Sequence, residues 1–232
     1  MHSKGTVALI TGATGVLGAA VTQAFLDGGA LVAGVSRSVR VTDFKGQRFI
    51  AVPGELSSSE EAAGIVHAVL AKAGRIDVLV HLVGAFAGGS PVHETDDTVL
   101  DHMLNTNVKS TFYIAKAVLP HMRERGSGRI FAIGSRMALE AGPNAAAYSA
   151  SKAAVVALIR AIAAENAAAG ISANVILPGT IDTPANRKAM PDADRSKWVA
   201  PEQIAQLILS LSDENLSQVS GAAIPVYGRD LG

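Results

Sequence analysis

Thr11–Gly18 reads TGATGVLG and sets glycines at 12, 15 and 18, between the apolar run Thr6–Ile10 and a second that begins near Val16. Glycines at a strand-to-helix turn serve one of two ends. They let backbone N–H groups and a helix N-terminus approach a pyrophosphate, or they only tighten a turn between two core elements. The spacing is GxxGxxG rather than GxGxxG, so the loop alone leaves both ends open.

The surrounding pattern narrows the choice. Short β-branched runs at Thr6–Ile10, Leu31–Val35, Arg48–Val52, Val78–Val83, Arg129–Ile133, Ser172–Leu177 and Ala222–Val226 read as strands. Between them, Val16–Asp27, Ser59–Ala73, Thr98–Glu124, Ala147–Ala169 and Pro201–Leu211 carry helical periodicity. Strict alternation of this kind predicts an α/β fold, a doubly wound parallel sheet of about seven strands. Its ligand site is then expected beyond the carboxyl ends of the strands. The 232 residues suit a single domain, 1–232, with one aperiodic segment, 179–200, expected to be a loop or short helices acting as a lid, or else a mobile insertion.

Composition agrees. Hydrophobic residues make up 49% of the chain and aromatics only 4%, which suits a buried sheet of Ala, Val, Leu and Ile. Twenty basic residues balance twenty acidic ones, leaving no excess field for nucleic acid or an anionic membrane. There is no cysteine, which excludes disulfides, thiolate metal sites and a thiol nucleophile. His81, His93, His102 and His121 show no metal-ligand spacing and read as structural or surface residues, so no metal is expected. MHSKG runs into the first strand without a leader pattern, and no stretch reads as 18 consecutive apolar residues; a cytoplasmic protein is the expectation.

After the second strand, VSRSVR (35–40) offers Ser36, Arg37 and Arg40, with no acid before Asp43. A carboxylate there would repel a ribose 2′-phosphate, whereas an arginine fork binds it. The residues favour NADP(H) over NAD(H), the alternative being solvated surface arginines. Further on, Ser135 closes a strand, and Tyr148 and Lys152 stand four residues apart on one helix face. A neighbouring ammonium stabilises phenolate, so Tyr148 is expected to titrate below its usual range and serve as a general acid, with Ser135 holding a carbonyl oxygen. The Tyr–Lys pair by itself is more often ordinary helix packing than chemistry.

Taken together, TGATGVLG, Ser135, YSASK (148–152), NTNVKSTF (105–112) and LPGTIDTP (177–184) resemble the short-chain dehydrogenase/reductase family along essentially the whole chain. The resemblance implies a Rossmann-like fold, oxidoreductase activity and a homodimer or homotetramer acting on a small molecule. It also implies the catalytic set Asn107, Ser135, Tyr148 and Lys152, with Asn107 supporting a proton-relay water. The implied cofactor contacts are Gly12, Thr14, Gly15, Val16, Leu17 and Gly18 in the loop, then Ser36, Arg37, Glu55, Leu56, Val83 and Gly84. They continue through Tyr148, Lys152, Pro178, Gly179, Ile181 and Thr183.

Two departures stand out: the middle glycine sits one place early, at Gly15, and LVG (82–84) replaces the family's NAG. The lid, DTPANRKAMPDAD with nearby Trp198, and AFAGG (85–89) are similar to quinoid dihydropteridine reductases. The retained Ser135 and Asn107 place a carbonyl substrate ahead of a pterin, with a non-catalytic NADP(H)-sensing regulator as a further alternative. Arg187 and Trp198 in the lid are candidates for substrate contact or for plain packing.

Overall fold

The computed structural model describes residues 5–46 and 48–229; MHSK, on which the reading of a leaderless start rests, lies outside them. Seven parallel strands form one sheet in the order β3-β2-β1-β4-β5-β6-β7. They are β1 (Val7–Thr11), β2 (Leu31–Ser36), β3 (Phe49–Pro53), β4 (Val78–His81), β5 (Gly128–Ile133), β6 (Ile171–Pro178) and β7 (Ala223–Val226). The strand order reverses between β1 and β4, which opens a crevice at their carboxyl ends.

Side-chain alternation sorts the core onto two faces. Leu9 of β1 joins Ile65, Ile114 and Ile159 on one side, beneath α2 (Ser59–Ala73), α4 (Ser110–Arg125) and α5 (Ala146–Asn166). Ala8 and Ile10 face the other, with Val21 and Phe25 of α1 (Val16–Asp27) and Ile204 and Ile208 of α7 (Pro201–Leu211). Each large apolar side chain buried in this way contributes roughly 1.5–3 kcal/mol, and β1, β4 and β6, covered on both faces, hold only buried residues.

Three details depart from the sequence reading. The expected long helix is split into α3 (Asp97–Met103), a π turn (Leu104–Lys109) and α4. The widened turn is tied by hydroxyls, Ser110 Oγ donating to the Thr106 carbonyl at 2.5 Å and Thr111 Oγ1 to that of Asn107 at 2.6 Å. β4 stops at His81 rather than Val83, because Leu82–Gly84 peels away over Gly12, whose φ is +74°. Finally, Ala146–Ala169 is long and apolar enough to cross a membrane by length and composition, against the expectation of no such stretch. Half of its apolar window is buried against the rest of the fold, and it carries the buried Lys152, which marks it as a core helix.

The 179–200 segment forms short helices, as one of its readings expects. Ile181 bridges Val199 and closes the arch, inside which lie α6 (Pro184–Ala189) and a single 3₁₀ turn, Arg195–Lys197.

Candidate active site

The glycine loop fills the first βα turn, and its three glycines are needed for different reasons. A Cβ on Gly12 would press on the Leu82 and Val83 backbone at 3.2–3.3 Å, in a left-handed conformation that disfavours side chains. A Cβ on Gly18 would collide with the Gly12 carbonyl, so Gly18 lets α1 start directly beneath the loop. Gly15 is the N-cap of α1; among the described residues no side chain caps this helix and its first turn holds no acid. The first-turn amides of Val16, Leu17 and Gly18 therefore have no helical acceptor, as an anion site requires.

Beyond the loop lies a cavity of about 890 Å³. Of the sequence-predicted contacts, Gly12, Thr14, Gly15, Ser36, Arg37, Glu55, Leu56, Val83 and Gly84 line it. Ser36 is engaged within the protein: its Oγ accepts from Thr14 N at 3.2 Å and donates to the Val35 carbonyl at 2.7 Å, tying the loop to β2. Arg37 is exposed and stands 3.9 Å from Glu55. The opposite wall was missed from sequence. It is one face of the π turn and α4, Thr106, Lys109, Ser110 and Tyr113, whose helical spacing was the available signal.

Pro178 and Gly179 end β6 against β7, Gly179 N donating to the Val226 carbonyl at 2.9 Å. Thr183 caps α6 by accepting from Asn186 N at 3.2 Å, while Val16 is exposed, and Leu17 and Ile181 pack partly on the core. In the lid, Arg187 is committed to Asp182 through two hydrogen bonds of 2.6 and 2.8 Å, and Trp198 is partly buried near Gly228.

The four expected catalytic residues converge. Ser135 follows β5, accepts from Met137 N at 3.2 Å and lies near enough to Tyr148 to draw its pKa down. One turn along α5, Lys152 is buried and donates from Nζ to the Ile133 carbonyl at 2.9 Å, with its ammonium 5.9 Å from the Tyr148 ring centroid. Asn107, on the π turn, accepts from Ala85 N at 2.8 Å and donates to the Ala85 carbonyl at 3.1 Å and to Ser151 Oγ at 2.9 Å. Ser151 in turn donates to the Tyr148 carbonyl at 2.7 Å. A Cβ on Gly84 would sit 3.0 Å from Asn107 Oδ1 and 3.1 Å from Lys152 Nζ, so both groups crowd a single point.

The electrostatics correct one expectation. Burial raises the Tyr148 phenol above its usual value, and only the polar contact with Ser135 pulls it back. Lys152 is not among the groups that shift it, and the anticipated lowering does not occur, because desolvating a phenolate costs more than the polar contact with Ser135 returns. Burial also brings the Lys152 ammonium down to about 8. His81 is buried and neutral, lowered to about 3 by burial and then by the charge of Lys152. Its ring links Thr11 Oγ1, at 2.8 Å from Nδ1, to Ser110 Oγ, at 3.1 Å from Nε2. Since Ser110 spends its proton on Thr106, His81 carries its own on Nε2. Among the described residues no group of three or more His, Asp or Glu could hold a metal.

A family model described as short chain dehydrogenase matches residues 6–194. The chain belongs to the short-chain dehydrogenase family. It is 30% identical to the 3-oxoacyl-(acyl-carrier-protein) reductase FabG of Thermotoga maritima, over 98% of each chain. Among solved structures, a 3-ketoacyl-(acyl-carrier-protein) reductase from Brucella melitensis complexed with NADH superposes with a TM-score of 0.90 at 28% identity, covering 98% of this chain and 99% of that one. ElxO with NADP bound gives 0.91 at 26% identity, covering 96% and 97%. The protein is thus an NAD(P)-dependent oxidoreductase of this family. The glycine cradle, the uncapped first-turn amides of α1 and the 890 Å³ cavity fit such a dinucleotide.

Proposed function

We propose that the protein reduces a carbonyl substrate with Tyr148 as the general acid and NADPH as the preferred cofactor. The observation that carries this reading is the convergence of Ser135 on Tyr148, with buried Lys152 one helical turn further along α5. Ser135 holds the carbonyl oxygen, and Tyr148, kept protonated by its raised pKa, delivers a proton to it. Lys152 is anchored on the Ile133 carbonyl and holds the nicotinamide ribose, as in the family it resembles. When bound, the nicotinamide supplies the hydride to the carbonyl carbon, completing reduction to an alcohol. The glycine loop and α1 hold the pyrophosphate, and Arg37 holds the 2′-phosphate.

The test is Tyr148→Phe. NADPH binding, read by fluorescence, is expected to persist while turnover drops by about 10²–10⁴-fold. Near-normal turnover would overturn the assignment. A panel of ketones, 3-oxoacyl esters, quinones and quinonoid dihydropterin, run with NADPH and NADH, separates the alternatives. The lid sequence favours the pterin as second reading, and it gains if that compound alone is consumed. Binding with no consumption at all points to a regulator. α4, which exposes Phe112, and α5 are assigned to contact between copies, and light scattering at monomer mass would contradict a homodimer or homotetramer.

A further inference from the structure

The residue that follows β7, Tyr227, lies outside the proposed chemistry, yet three parts of the fold meet on it. Its backbone is pressed against the chain leaving β6. Gly179 N donates to the Val226 carbonyl at 2.9 Å, and a Cβ on Gly179 would lie 3.0 Å from the Tyr227 carbonyl oxygen and 3.2 Å from its Cα. The next residue, Gly228, adopts a left-handed φ of 70°, and a Cβ there would run into the Lys197 carbonyl at the root of the lid. Arg229 N donates to that same carbonyl at 3.2 Å. Tyr227 is therefore anchored on both sides, and it packs on the edge of the core.

Over its ring lies the guanidinium of Arg136, Cζ 5.1 Å from the centroid and so within the roughly 6 Å reach of a cation–π contact. Arg136 Nε also donates to Glu140 Oε2 at 2.6 Å, and its side chain is only 23% exposed, which limits screening of the pairing. Arg136 is the neighbour of Ser135 in one 3₁₀ turn, Arg136–Ala138, which Ser135 caps. Ser135 Oγ accepts from Met137 N at 3.2 Å, the Ser135 carbonyl from Ala138 N at 3.0 Å, and the Arg136 carbonyl from Glu140 N at 3.0 Å. On the other side Gly134 N donates to the Ile176 carbonyl at 2.8 Å, which fixes the strand end. A turn this short is weakly held by its own hydrogen bonds, so its tilt is set by grips from outside, and the Tyr227 ring supplies one.

We propose that Tyr227 is a positioning residue for the reaction: through the Arg136 guanidinium its ring fixes the turn that presents the Ser135 hydroxyl. This rests on the carbonyl-reductase reading above, in which Ser135 holds the substrate oxygen.

Tyr227→Leu removes the π face, and Tyr227→Phe keeps it. With ethyl acetoacetate, or whichever compound of the panel above is reduced faster, Tyr227→Leu is expected to lower kcat by about tenfold or more, with KM and the NADPH Kd within about twofold. Tyr227→Phe should stay within about twofold of wild type throughout. Hydrogen exchange at the Met137, Ala138 and Glu140 amides, read by NMR, should accelerate in Tyr227→Leu and not in Tyr227→Phe. A merely structural role predicts a lower melting temperature with wild-type kcat, and that result overturns the proposal, as do unchanged exchange and equal losses in both variants. Ser135→Ala, assayed alongside, separates two failures. Wild-type kcat in Tyr227→Leu beside an inactive Ser135→Ala fails this proposal alone, whereas full turnover in Ser135→Ala fails the carbonyl-reductase reading on which it rests.

Discussion

Asn107 and Ala85 hold each other by a reciprocal pair of hydrogen bonds, Ala85 N–H to Oδ1 at 2.8 Å and Nδ2 to the Ala85 carbonyl at 3.1 Å. With Ser151 taking another Nδ2 proton, the amide is engaged at both ends. The side chain thus serves as a clamp between the loop after β4 and the Tyr148 helix, and any relay water beside Lys152 has to meet other acceptors. Asn107→Ala strands buried polar groups of Ala85 and Ser151, at about 1–3 kcal/mol in all. The melting temperature is expected to fall by roughly 2–10 °C, with a drop in turnover, by calorimetry and NADPH assay on one preparation.

Gly84 stands where that clamp meets Lys152. Alanine there would place a methyl group 3.0 Å from Asn107 Oδ1 and 3.1 Å from Lys152 Nζ, tighter than ordinary contact. Gly84→Ala is expected to cut kcat by about tenfold or more while far-UV circular dichroism stays unchanged. Wild-type turnover would show that the two side chains move aside freely.

The seven strands and the ends of α1, α2 and α7 were readable because short β-branched runs and period-3.6 patterns were separated by Gly, Pro and Ser. Ser135, Tyr148 and Lys152 were readable because two of them share a helix face and the third closes a strand. The π turn was not, since a hydrophobic stripe does not distinguish an i+4 from an i+5 ladder; Ser110 and Thr111, which tie it, look like ordinary helix-surface hydroxyls. Asn107's grip on Ala85, 22 residues away, and the direction of the Tyr148 shift both depend on tertiary contacts and burial, which local pattern does not encode. His81 read as structural or surface, and its network of Thr11 and Ser110 resolves that choice to structural.

Lys152 gives a pH signature. Its folded pKa is about 8 against an ordinary value of 10.5, so between these values the unfolded chain binds more protons and stability rises with pH. Urea midpoints of wild type minus Lys152→Met should climb across that window and level off below pH 8. A flat difference would mean the ammonium is better solvated than its burial implies.

His81 gives an acid window of the same sign. Held neutral down to about pH 3 against an ordinary 6.5, it stabilises the fold above 6.5, and this contribution is lost as pH falls toward 3. His81→Asn lowers stability at neutral pH by removing the link between Thr11 and Ser110, yet it should flatten the acid limb of the profile. Parallel wild-type and variant curves between pH 6.5 and 3 would contradict this.

The proposed preference for NADPH puts Arg37 at the 2′-phosphate. Its guanidinium is exposed and weakly paired with Glu55 at 3.9 Å, so it is free to turn toward a 2′-phosphate without breaking a strong contact. Arg37→Asp replaces an attractive charge with a repulsive one at that point. NADPH affinity is expected to fall by about tenfold or more while NADH affinity changes little, the difference shrinking at high salt because the site is exposed. Glu55→Gln should act the other way, releasing Arg37 and tightening NADPH slightly. Titration of both cofactors into wild type and the two variants at low and high ionic strength checks all of this, and an unchanged NADPH preference in Arg37→Asp would reassign the discrimination to another residue of the cleft, with Lys109 on the opposite wall the first to substitute.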